Sequence, residues 1–97
     1  ALIRLGRYPE AREQLETIIK MNPQIANTYF NMAISYVLER NFDEAMKWIR
    51  KGTEYCSPVI CQRFLADNDF NAIREYPPFQ ELAAKLYPEV TQPGQNP

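Results

Sequence analysis

The stretch ANTYFNMAISYVLERNFDEAMKWIRKGTEYCSP, residues 26–58, decides the fold because part of it recurs 34 residues earlier in the chain. The segment GRYPEA at residues 6–11 corresponds to RNFDEA at residues 40–45, and each has an aromatic residue, then an acid, then an alanine. In a pair of antiparallel helices, such an aromatic ring fills the wedge at the turn, and alanine allows the backbones to approach closely. The sequence therefore predicts repeated helical hairpins.

Apolar residues at spacings of three and four predict the individual helices. Helices are expected at residues 9–21, 26–39, 43–55 and 58–67, followed by a short turn at 69–74 and a last helix at 78–88. The helix at 26–39 is apolar on two sides, as expected of a helix covered by neighbours on both sides. No segment has the strict alternation of a β-strand. We therefore expect an all-α fold.

Polar residues and prolines mark the ends of these helices. Asn41 is placed to cap the third helix. Ser57 followed by Pro58 is a typical helix start, with a capping hydroxyl and then proline at the first helical position. Asp69 is expected to cap the short turn.

Composition excludes several classes of function. The 97 residues carry a net charge of −1 and include no histidine, so the chain lacks the usual general base at neutral pH and the commonest metal ligand. Its 11 basic and 12 acidic residues give no concentrated positive charge for a phosphate backbone. No stretch approaches the roughly 18 consecutive apolar residues of a membrane span. We expect no catalysis, no cofactor or metal, no nucleic-acid binding and no membrane insertion.

The cysteines, Cys56 and Cys61, are predicted to be reduced and structural. They lie five residues apart around Ser57 and Pro58, so a bridge between them would need a distorted turn. A metal site would need further ligands, and a small secreted disulfide scaffold would carry more cysteines. The N-terminus does not indicate a compartment, and a cytoplasmic location is favoured.

These segments resemble the tetratricopeptide repeat (TPR) family, whose unit is a helix, a tight turn and an antiparallel helix. The positions that match the family's aromatic and small residues are Tyr29, Met32, Ala33, Tyr36, Phe42 and Ala45. The sequence departs from the family pattern at Arg40, where glycine is usual, at Gly52, where alanine is usual, and at Pro58, which comes one residue late. The resemblance implies an α-solenoid of antiparallel helix-turn-helix repeats with C-terminal capping helices.

The resemblance also implies a division of the chain. Residues 1–25 correspond to a partial repeat, namely the end of a first helix and a second helix, and residues 26–58 to a complete repeat. Residues 59–88 are similar to the helices that close such arrays, and residues 89–97 are predicted to be a disordered tail.

In this family the first helix of each repeat lines a concave groove that binds a peptide or a partner helix. Carried over to this sequence, the groove positions are Asn27, Phe30, Asn31, Ile34, Val37 and Leu38. The resemblance therefore implies a non-catalytic interaction scaffold with a largely apolar groove and a protein or peptide partner. A groove specialised for C-terminal carboxylates is excluded, because its basic residues would fall at Gln62 and Ala66.

Other interpretations remain open at this point. The apolar groove positions are also compatible with internal packing against the predicted helix at 78–88, through Phe79, Leu82 and Leu86. The chain is also compatible with the C-terminal tail of a larger enzyme or signalling protein.

A third alternative is self-association. Residues 1–6 correspond only to the end of a first helix, so the face that carries Leu15 and Ile18 is expected to lack part of its cover. Preceding residues of a longer protein, or a second copy of the chain, would supply it.

Overall fold

A computed structural model describes residues 6–86 of the chain. Its elements are α1 (Tyr8–Met21), α2 (Ala26–Leu38), α3 (Phe42–Thr53), α4 (Pro58–Leu65), a 3₁₀ helix (Asn68–Ile73) and α5 (Pro77–Leu86). Because these elements are all helical and the described part contains no strand, the all-α prediction is confirmed. The predicted tail at 89–97 and the beginning of the partial repeat lie outside the described residues.

The ends of the helices follow from local chemistry. At the starts of α3 and α4, the side chains of Asn41 and Ser57 each accept a hydrogen bond from the amide three residues further on, as predicted. The cap of the 3₁₀ helix is Asp67, whose side chain accepts from the amide of Asp69, so the predicted cap was wrong. Asp67 has the extended backbone that a capping residue needs, and α4 therefore ends earlier than predicted.

The backbone repeats together with the sequence. Tyr8 and Phe42, 34 positions apart, are the first residues of α1 and α3. The turns before them contain Gly6 with φ +79° and Arg40 with φ +64°. A left-handed backbone costs a residue with a Cβ roughly 1–2 kcal/mol, which is why glycine suits this position. Arg40 therefore departs from the family pattern in side chain but keeps the turn geometry.

Helix α2 is the centre of the fold and packs against α3, α1 and the 3₁₀ helix. In its contact with α1, the side chain of Arg12 makes three polar or cation–π interactions. The guanidinium lies 4.3 Å from the centre of the Tyr36 ring, donates to Ser35 Oγ at 3.2 Å, and pairs with Glu39 at 2.8 Å. By contrast, Ala11 is the buried residue of α1. Polar and cation–π contacts of Arg12 thus add to the burial of Ala11 between α1 and α2.

The contact between α2 and α3 explains the second departure from the family pattern. A Cβ at Gly52 would lie 2.9 Å from Cζ of Phe30. Such a distance is too short for two carbon atoms, so the Phe30 ring occupies the space that a methyl group at position 52 would need.

Cys56 and Cys61 form a disulfide, so the prediction of two reduced thiols was wrong. Their Cα atoms lie 6.0 Å apart, within the range that a disulfide spans. The reason is the short connection between α3, which ends at Thr53, and α4, which begins at Pro58. It returns the chain towards the core and brings the two residues together, which spacing along the sequence did not reveal.

Candidate functional site

The six groove positions all lie on α2, but the structure divides them into two groups. Phe30, Ile34 and Val37 are buried within the core. The others are accessible: Asn27 is exposed, Asn31 is half-buried, and Leu38 is 39 % exposed.

The buried group is covered by the chain itself. The ring of Phe30 stacks on Phe64 of α4 with 4.7 Å between centroids, and meets Phe70 of the 3₁₀ helix edge-on at 6.5 Å. Phe70 in turn stacks on Phe79 of α5 at 6.4 Å. We call residues 64–76 the covering segment. Internal packing of the apolar groove positions is therefore observed: Phe64 and Phe70 contact Phe30, and Phe79 of the last helix belongs to the same core cluster.

The covering segment is braced from within by Arg74. Its guanidinium donates hydrogen bonds to the carbonyl oxygens of Leu65 and Asp67 and to the side chain of Asn71, each at 2.8 Å. These contacts join the end of α4 to the end of the 3₁₀ helix. The segment therefore packs against α2 as one ordered unit.

The far end of the covering segment is fixed to the first turn of α3. The ring of Tyr76 packs against Phe42, with 5.5 Å between centroids, and its hydroxyl donates to the carboxylate of Asp43. This hydrogen bond raises the pKa of Tyr76, because the bonded carboxylate favours the protonated phenol. The segment thus follows α2 from Phe30 towards the helix's C-terminal end.

The accessible group forms a narrow strip along α2. Asn27, Asn31 and Leu38 lie four and seven residues apart, which places them on one side of the helix. By the same helical geometry, this side lies between the direction of Ser35, which contacts α1, and that of Phe30, which contacts the covering segment. We call Asn27, Asn31 and Leu38 the α2 strip.

A second accessible surface lies on α1. Ile18 is 41 % exposed and Met21 is 80 % exposed, while Leu15 is half-buried. The incomplete cover predicted for this face is therefore present in the described residues.

An aromatic stack closes the fold near the start of α2. The ring of Tyr29 lies 5.3 Å from that of Tyr55 and 6.1 Å from that of Trp48, and its hydroxyl donates to the carbonyl of Pro23 at 2.6 Å. Burial raises the pKa of Tyr29. These contacts hold the α1–α2 connection against α3.

Residues 6–86 contain no group of histidine, cysteine or acidic side chains that is arranged to hold a metal ion. Over the same residues, no helix combines the length and the apolar character that crossing a membrane requires.

Comparison with known proteins bears on the middle of the chain. A sequence model of the tetratricopeptide repeat matches residues 26–57. The matched span contains α2, α3 and the connection that leads to α4. Neither the curated proteins nor the solved structures give a match.

Proposed function

Because this chain carries a tetratricopeptide repeat at residues 26–57, we propose that it is a non-catalytic module that binds a protein partner along helix α2. Repeats of this family typically mediate protein–protein interaction and do not catalyse reactions. The observation that supports the proposal is the match itself, whose residues begin with α2 and continue through α3. In this family, the first helix lines the binding groove.

The α2 strip is the part of this groove that a partner reaches without rearrangement. Between Asn27 and Leu38 the helix axis advances about 16 Å, the length of about five extended residues. Asn27 and Asn31 each offer an amide donor and an acceptor, which suit the backbone of a peptide. Leu38 offers an apolar contact at the other end. We therefore infer that the partner presents a short extended or helical segment, oriented by the two asparagines.

The apolar positions Phe30, Ile34 and Val37 have a different role in this proposal. With the covering segment in place, these three side chains pack against it in the hydrophobic core, next to the α2 strip. They become contacts for the partner only where the covering segment moves away.

Affinity measurements with exposed substitutions test this proposal. Peptides selected from a displayed random library against the intact chain serve as the probe, and binding is measured by fluorescence anisotropy. Asn31→Arg and Leu38→Arg each place a long charged side chain on the α2 strip. Both residues are accessible, so the fold should persist, which circular dichroism checks.

We expect each substitution to weaken binding about tenfold or more, since a lost hydrogen bond or apolar contact is worth about 1 kcal/mol and the new charge adds a clash. The matched control is Gln14→Arg on the exposed face of α1, which should bind like the unchanged chain. Equal affinity of all the variants would exclude the α2 strip as the binding surface.

Self-association is a second candidate, which the exposure of Ile18 and Met21 on α1 favours. A second copy of the chain that covers this face would bury both side chains. Sedimentation equilibrium over a concentration series tests this idea, with Met21→Glu as the variant. A dimer that Met21→Glu dissociates supports it, and a monomer at every concentration contradicts it.

A further inference from the structure

We propose that the Cys56–Cys61 disulfide controls access to the apolar half of the α2 groove, so that reduction releases the covering segment from Phe30. The oxidised chain presents the α2 strip, whereas the reduced chain opens more often and in the open form also exposes Phe30, Ile34 and Val37. This inference rests on the proposed function of α2, and it adds a redox condition to it.

The position of the disulfide is the first argument. Cys61 lies in α4, three residues before Phe64, the residue whose ring stacks on Phe30. Cys56 lies in the connection that follows α3. The bond therefore links α4, the helix that leads into the covering segment, to the chain that follows α3.

The nature of the other attachments is the second argument: Leu65, Phe70 and Ile73 bury the covering segment in the core, but all of these contacts are non-covalent. Helix α4 has eight residues, far fewer than an isolated helix needs to be stable in water. Beyond it, the far end of the covering segment is held by Tyr76, through its ring contact with Phe42 and its hydrogen bond to Asp43. Phe42 is partly buried and Asp43 is exposed, and neither contact is covalent. The disulfide is thus the covalent restraint on the position of α4.

The burial of the two cysteines determines how the bond is reduced. Cys61 is fully buried, whereas Cys56 is half-buried. A dithiol reductant therefore attacks through its thiolate at the sulfur of Cys56, and Cys61 leaves as a thiolate that takes up a proton. The second thiol of the reductant then displaces Cys56, which also becomes a thiol. Two electrons pass to the protein, and the reductant leaves as a disulfide.

Loss of the bond changes the balance between closed and open forms. While the bond is intact, Cys61 in α4 cannot move away from Cys56. Once the bond is reduced, the chain around residues 56–61 regains its conformational freedom in the open form. The stabilisation typical of disulfides corresponds to a rise in the open population of roughly tenfold or more.

Hydrogen exchange measured by mass spectrometry on the intact chain, oxidised and then reduced with dithiothreitol, tests this proposal. We expect amides of the covering segment to exchange about tenfold or more faster after reduction, while amides of α1 and α3 keep their protection. Cys56→Ser cannot form the bond and should exchange like the reduced chain with or without the reductant.

Two results would overturn the proposal. One is unchanged exchange of residues 64–76 after complete reduction. The other is an equal loss of protection in α1, α2 and α3, which would mean that the disulfide supports the whole fold and not the cover alone. The affinity test of the α2 strip is made in the oxidised chain, so it decides the proposed function separately.

Discussion

Replacing Gly52 with alanine should destabilise this chain, although helix propensity alone predicts the opposite. Alanine is better than glycine inside a helix by about 1 kcal/mol. At this position, however, the new methyl carbon would lie 2.9 Å from Cζ of Phe30, 3.0 Å from Cε2 and 3.2 Å from Cε1. The ring cannot simply retreat, because Phe64 stacks on it at 4.7 Å.

The expected magnitude follows from two opposing terms. Adding a methyl group to a well-packed core costs typically 1–3 kcal/mol, about 2 at the centre of that range. After subtraction of the propensity gain, Gly52→Ala should lose about 1 kcal/mol of unfolding free energy. For a domain of this size, that corresponds to a fall in melting temperature of about 4–8 °C.

Thermal and urea denaturation followed by circular dichroism measure this change, and Phe30→Leu provides the matched background. Leucine lacks the distant ring atoms, so Gly52→Ala introduced into Phe30→Leu should raise stability by about 1 kcal/mol. The sign of the substitution thus depends on the residue opposite. A gain of about 1 kcal/mol in both backgrounds would refute the packing assigned to Gly52 and Phe30.

Three further predictions follow from single contacts. Arg40→Gly should raise the melting temperature, by up to about 1 kcal/mol of stability, because the exposed Arg40 has a left-handed backbone; an unchanged melting temperature would argue against that turn. Arg12→Ala should cost about 1–2 kcal/mol in urea denaturation, because it removes the ion pair to Glu39 and the cation–π contact, whereas a neutral result would mean that these contacts do not hold α1. The hydrogen bond to Asp43 raises the pKa of Tyr76 in the folded chain. The stability that this bond contributes is therefore complete below the unfolded pKa of 10.0, and it is lost as the pH rises through the pKa of the folded chain. Tyr76→Phe should therefore be less stable at neutral pH and lose less stability in alkaline solution, and identical alkaline profiles of the two chains would contradict the bond.

Local features of the sequence were sufficient to predict the helices. Their apolar spacing and capping residues are decided within a few neighbours along the chain, so α1, α2 and α3 begin and end within two residues of expectation. The recurrence after 34 residues predicted equivalent turns, and it holds for the backbone angles of Gly6 and Arg40. Such features need no knowledge of tertiary packing.

The cover over α2 could not be predicted in the same way. The pairing of Phe30 with Phe64 and Phe70 joins residues distant in sequence, and it depends on where α4 stops and the 3₁₀ helix begins. That path depends on Asp67, which caps the 3₁₀ helix. In the sequence, nothing distinguishes Asp67 from the nearby Asp69 as the capping residue. The aromatic spacing of Phe64 and Phe70 was visible, but nothing local indicated which helix they meet.

The disulfide escaped prediction for a related reason. Spacing alone gives the number of residues between Cys56 and Cys61, not the direction in which the chain turns between them. The bend that brings their Cα atoms to 6.0 Å arises from the way α4 packs back on the repeat.

The most direct test of α2 as the partner-binding helix is a nuclear magnetic resonance titration of the isotope-labelled chain with a library-selected peptide. We predict that the largest shift changes fall on the side-chain amides of Asn27 and Asn31 and on the methyl groups of Leu38. Changes confined to the outer face of α1, around Glu13 and Gln14, with α2 unaffected, would contradict the account.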